Sequence, residues 1–152
     1  MEPKSLTVLI RAIIAAVEKR VPDYLVVEED RRINEGNCAL CILDEDGGVH
    51  GKTFGTDKIR QRHSFRIAWT KASQVWITGY KTGEYEKLVY AGKVDEGRYG
   101  INKPDFIGWE GGQPIVVDAQ TKLSVGFSGF RGTSDLEIVQ KAVADVTEPK
   151  RG

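Results

Sequence analysis

The sequence predicts an α+β domain, a central antiparallel sheet flanked by helices. Three observations carry this expectation. Apolar residues recur at a helical period in three separated segments, and two β-prone pairs are each joined by turn-forming residues. The segments follow one another as helix, hairpin, helix, irregular region, hairpin, helix, an order that suits helices packed on an antiparallel sheet.

The first helix is read from Leu6, Leu9, Ile10, Ile13, Ile14 and Val17, with Ser5 as its cap and Lys19-Arg20, just before Pro22, as its end. Tyr24 to Val27 is short and β-prone, and the polar stretch Glu28 to Asn37, with Arg31-Arg32, is a connector or a continuation of helix. Asn37 to Asp44 is apolar on both alternating sets, which predicts a strand buried on both faces. Asp44-Glu45-Asp46-Gly47-Gly48 is then a turn, and Val49 to Phe54 the returning strand.

Gly55 to Gln61 reads as a polar loop. A second helix is expected from Arg62 or His63 to Thr78, stopped by Gly79, with Phe65, Ile67, Ala68, Trp69, Ala72, Val75, Trp76 and Ile77 broadening its apolar side. Tyr80 to Gly108 combines glycines with Tyr85, Tyr90 and Tyr99, which predicts an ordered excursion with a short helix around Glu84 to Tyr90. Glu110 to Pro114 is a turn, Ile115-Val116-Val117 and Leu123 to Ser128 are strands joined through Asp118 to Lys122, and a last helix starts near Thr133 or Ser134 and frays before Pro149.

A chain of 152 residues with 40% hydrophobic residues is sized for one domain, read as 1–152 with flexible ends at 1–4 and 148–152. Its 22 basic and 22 acidic residues balance, so global charge steers it toward neither nucleic acid nor an anionic membrane. Cys38 and Cys41 lie in an apolar run and read as buried free thiols; no second pair completes a zinc site, so no structural metal is expected. The start has no signal-peptide cleavage region and no stretch long enough to span a bilayer, which makes a cytoplasmic location the default.

Gly111-Gly112-Gln113-Pro114-Ile115, the strand pair after it, and Gly126-Phe127-Ser128-Gly129-Phe130 followed by Asp135 resemble the GlcG/HbpS-like heme-degrading family, also found as the C-terminal half of PduO-type proteins. Leu43 to Gly48 looks like that family's first hairpin, and Ile67-Ala68-Trp69-Thr70-Lys71-Ala72 like its Ala-x-x-Lys-Ala helix. These landmarks run in the family's order from about residue 38 to 144. Two departures stand out: Glu110 replaces the first of three glycines, and Gly55-Thr56-Asp57-Lys58 only loosely represents the run before the second helix. The resemblance implies a profilin-like α-β-α fold, a small-molecule or tetrapyrrole ligand, heme among the candidates, and self-association.

Each candidate site residue has a structural alternative. Gly111 and Gly112, with Pro114, allow positive φ before a strand or form a nest of amides facing an anion. Ser128, Gly129 and Gly132 precede the last helix, where Ser134 caps and Asp135 favours the positive end; the same place can hold a carboxylate with Arg131 as its bidentate partner. His63, beside Arg60 and Arg62, is a helix-start residue or, bordering a cavity, a proton-transfer group or iron ligand, with Arg60 as its catalytic neighbour. His50 has a weaker version of the same claim. Tyr99 and Trp109 pack the irregular region or wall a flat apolar pocket, and Lys71 is the family's helical lysine or a solvated charge.

The leading function is therefore a small-molecule-binding domain for heme or a small organic acid, with an enzyme using general acid-base chemistry on a small carboxylate or carbonyl compound as the alternative. A structural, self-associating subunit is a third. Trp69 and Trp76, seven positions apart, form one stripe on the second helix and suggest a twofold dimer.

Overall fold

Strand β1 (Ala39–Leu43) is buried at every position and lies inside a four-stranded antiparallel sheet. Its neighbours are β2 (Val49–Thr53) and β4 (Thr121–Ser128), and β3 (Gly112–Asp118) closes the far edge in the order β2-β1-β4-β3. The computed structural model describes residues 1–101 and 106–148.

Alternation along the strands sorts side chains between two helical layers. Ala39, Cys41 and Leu43 face α3 (Lys58–Thr78), meeting Ala68 and Ala72. Leu40, Ile42, Leu123, Val125 and Phe127 face the opposite layer, made by α1 (Pro3–Leu25) and α5 (Gly132–Thr147). The expected α+β class and the double burial of β1 are thus borne out, and both cysteines are buried free thiols. No helix among the described residues is long and apolar enough to cross a membrane.

Several boundaries differ from the expectation for identifiable reasons. Pro22 does not end α1, which starts at Pro3 and runs through Leu25. A mid-helix proline removes one donor, here the one that would reach the Glu18 carbonyl, and Glu18 lies on the exposed side of the helix. Tertiary packing supplies the rest: Tyr24 is buried, stacks on Phe130 at 5.3 Å and donates to Glu137 Oε1 at 2.7 Å. Tyr24 and Leu25 are therefore helical rather than β, and Ser5 lies inside the helix instead of capping it.

The polar stretch after α1 contains a separate helix, α2 (Glu28–Asn34), closed by Glu35 in the left-handed region at φ 51°. The second long helix begins earlier than expected because Asp57 caps it, accepting from Ile59 N and Arg60 N at 3.0 and 3.2 Å. Gly79 ends it with φ 79°, as a left-handed stop requires.

The expected short helix in the irregular region is α4 (Thr82–Tyr90), followed by a 3₁₀ turn at Glu96–Tyr99. Part of that region, 102–105, and the C-terminal 149–152 lie outside the described residues. Gly112 to Pro114 belong to β3 rather than to a turn; Pro114 is tolerated there because β3 is an edge strand. The hairpin connection between β3 and β4 is shorter than expected, only Ala119 and Gln120.

Candidate functional site

The site is built where α3 crosses the end of β4. His63, Ser64, Ile67 and Lys71 recur at helical spacing, so one face of α3 points at the turn from β4 into α5. Ser128, Gly129, Phe130 and Arg131 form that turn, Ile33 and Asn34 approach from α2, and Trp109 and Glu110 approach from the segment before β3. Together they enclose a cavity of about 760 Å³. That volume lies within the range of roughly 300–1,000 Å³ common for small-molecule pockets.

The inner wall is polar and closely organised. Lys71 is 2% exposed, and its Nζ donates to Phe127 O at 2.8 Å and to Asp135 Oδ2 at 3.3 Å. Asp135 Oδ1 accepts from Phe130 N at 2.9 Å. Burial pushes Asp135 up to about 7, against the opposing pull of Lys71. Burial likewise lowers Lys71, against Asp135 and Glu110. Both shifts have one cause, the cost of holding charge away from water. Gly111, at φ 123°, passes this pair so closely that a β-carbon there would press on Lys71 Nζ, 2.7 Å away.

A second buried carboxylate supports the cavity from α2. Asp30 is 1% exposed and accepts from Arg131 N, Arg131 Nε, Arg131 Nη2 and Ser134 Oγ. Burial by itself raises its pKa, but these donors outweigh that and hold it below the ordinary carboxylate range. Below it, Ser64 Oγ donates to Asn37 O at 2.6 Å and accepts from Asn34 Nδ2 at 2.7 Å.

The residues singled out from the sequence divide into two groups. His63, Ser128, Gly129 and Arg131 all line the cavity. His63 also lines an adjoining cavity of about 550 Å³ with Arg66, Tyr90 and Phe106, and Ile67 and Trp109 are common to both. Gly111, Gly112 and Pro114 do not line the larger cavity; Gly112 N is spent on Thr82 Oγ1 at 3.3 Å. Arg60 points elsewhere, pairing with Glu35 at 3.0 Å and Asp57 at 3.6 Å. His50 sits at the hairpin with Asp44, 3.1 Å away.

Two sequence alternatives are resolved by contacts. Ser134 does not cap α5, because its hydroxyl reaches Asp30, and Lys71 is no solvated charge. Asp30, Asn34, Ser64 and Glu110 were missed as site residues. Asp30 carried no usable signal, lying in a run of charge that reads as surface. Lys71 did carry one, since it falls between Ala68, Ala72 and Val75 on the buried stripe of α3.

Residues 26–144 match the model of the family described as haem degrading protein HbpS-like. The chain belongs to the HbpS-like family. No functionally curated protein matches the sequence. Among solved structures, the Klebsiella pneumoniae protein ORFY, of the DUF336 family, is 20% identical, with 94% of this chain and 90% of that one covered at a TM-score of 0.69. A PduOC:heme complex is 20% identical over 95% of this chain and 93% of that one, at 0.63. HbpS itself is 16% identical over 93% and 88%, at 0.57. The resemblance read from the glycine turns and the Lys71 helix is therefore borne out, and these similarities show a shared HbpS-like fold.

Among the described residues no three His, Cys, Asp or Glu side chains converge as a metal-binding cluster. What the HbpS-like chain does offer is a single imidazole at the cavity, His63, which lines it together with Ile67 and Trp109. A porphyrin carries the other iron ligands itself, so one protein imidazole with apolar walls fits heme better than it fits a bare ion.

Proposed function

We propose that this domain binds heme in the cavity between α3 and the β4–α5 turn. The supporting observation is that His63, Ile67 and Trp109 line both of two adjoining cavities, which sets one imidazole among two apolar side chains. His63 would hold the iron, while Ile67, Trp109 and Ile33 would pack on the macrocycle. Ser128 and Gly129 also line the cavity. Bound heme would supply redox-active iron, and the chain's own residues would orient it. The HbpS-like family match and the heme complex among the structural relatives favour the same ligand. Hemin mixed with the protein in slight excess should co-elute with it stoichiometrically in gel filtration. Hemin that separates completely from a folded protein would refute the proposal.

One observation favours a second reading, an enzyme acting on a small carboxylate or carbonyl compound by general acid-base chemistry. Asp135, raised to about 7, and His63 line the same cavity. Arg60 has no part in it, and Arg131 would supply the electrostatic clamp. A turnover whose pH profile loses its limb near 7 in Asp135→Asn would support this reading; an unchanged profile would remove Asp135.

We also infer self-association through the outer face of α3, where Trp69, Trp76 and Ile77 are 41%, 45% and 46% exposed.

A further inference from the structure

Among the described residues, Arg131 is held by one edge. Its Nε and Nη2 donate to Oδ1 and Oδ2 of Asp30 at 3.1 and 3.2 Å, a side-on bidentate pair. A guanidinium presents about five N–H groups in a rigid fork, so the edge formed by Nη1 and the second Nη2 hydrogen remains to be used. The burial of the two partners is unequal: the Asp30 side chain is 1% exposed and that of Arg131 47%. Arg131 lines the cavity, and Asp30 lies behind it, fixed in addition by Arg131 N at 3.0 Å and Ser134 Oγ at 2.9 Å.

An anchored arginine of this kind has already given up most of its side-chain freedom before a ligand arrives. Its outer edge matches a planar carboxylate through two parallel hydrogen bonds. Because Asp30 cancels its net charge, discrimination rests on that geometry more than on long-range attraction. Lys71, the other Lys or Arg lining this cavity among the described residues, cannot compete for the role, since its Nζ is engaged by Phe127 O and Asp135.

We propose that Arg131 is the carboxylate-reading group of the cavity and that Asp30 is the positioning residue that aims it. The proposal rests on the heme-binding reading and narrows it: the ligand is a free acid, and its carboxylate lies against the outer edge of Arg131.

The test compares hemin with hemin dimethyl ester on the full chain, in the native protein and in Arg131→Gln, Arg131→Lys and Asp30→Asn. Native protein should bind hemin about tenfold tighter than the ester, the worth of one charge-assisted bidentate contact in a wet cavity. Arg131→Gln and Arg131→Lys should bring the two affinities together by weakening hemin alone, since lysine keeps the charge but lacks the fork. Asp30→Asn should give an intermediate ratio in protein whose circular dichroism is native. Should it fail to fold, the two Arg131 variants decide. Equal affinity for acid and ester in the native protein would overturn this proposal while leaving heme binding intact. Binding of neither compound would overturn the heme reading, and a separate titration then judges Arg131 alone. Benzoate, but not benzamide, should shift the Arg131 Nε–H resonance, and no shift with either overturns the role.

Discussion

Lys71 of α3 and Asp135 of α5 meet 3.3 Å apart across the end of β4, both almost fully removed from solvent. This contact ties the two helical layers together through the sheet. Removing one member of a buried pair strands the other, at a cost of about 3–5 kcal/mol. Lys71→Met should destabilise the domain by an amount in that range in urea unfolding at neutral pH, and Asp135→Asn by less, since burial already favours the uncharged form of Asp135. The double variant Lys71→Met/Asp135→Asn should lose much less than the sum of the two, because no unpaired charge remains. Strict additivity would show that the contact carries little coupling.

The same pair gives stability a pH dependence with a defined sign. Asp135 titrates at about 7 in the folded chain against 3.8 ordinarily, so between those values the native state holds more proton than the unfolded one. Stability contributed by this group is therefore present below pH 3.8 and lost as pH rises toward 7. Thermal melts of native protein and Asp135→Asn, compared from pH 4 to pH 7, should diverge by this contribution, the native protein falling relative to the variant. Parallel curves would contradict it.

Glu110 lines the same cavity as Arg131, and its side chain lies beside the start of α5, with Oε2 3.6 Å from where a β-carbon of Gly132 would sit. A resident carboxylate repels an arriving one. Glu110→Gln should tighten hemin binding about two- to fivefold, while changing the ester little, as expected for a partly screened like-charge contact. Unchanged or weaker hemin binding would mean that Glu110 does not face the ligand's acid group.

Self-association has its own measurement. Light scattering at micromolar concentration should give a mass above the monomer's 16.9 kDa. Trp76→Glu should return it to that value without loss of helicity. A monomer at every dilution would remove the outer face of α3 as an interface.

The layers of this fold were legible in the sequence because they rest on apolar periodicity, which burial enforces directly. Leu40, Cys41 and Ile42 announce a two-sided strand, and Ile10, Ile13 and Val17 a packed helix. The boundaries were less legible, because distant contacts decide them. Tyr24 is helical on account of Phe130 and Glu137, more than a hundred residues away in the chain. The site was half visible. His63, Ser128, Gly129 and Arg131 share a cavity, but Asp30 is 101 positions from Arg131, and nothing local in Glu28-Glu29-Asp30-Arg31-Arg32 marks its third member as the buried one. Glycines misled in one respect: Gly111 suggested an anion nest, whereas the space its missing side chain leaves is filled by Lys71 and the Phe127 carbonyl.

A heme-type ligand in the cavity, with His63 toward its iron, has a distinct optical signature. A hemin titration followed in the Soret band, run on native protein and on His63→Ala, tests this placement most directly. The expected result is a saturable shift with an endpoint near one hemin per chain in the native protein, and in the variant a changed band position with affinity weakened by about tenfold or more, as loss of an axial ligand should produce. Identical spectra and endpoints for the two proteins would contradict the assignment of His63, and a linear, unsaturated response in the native protein would contradict heme binding itself.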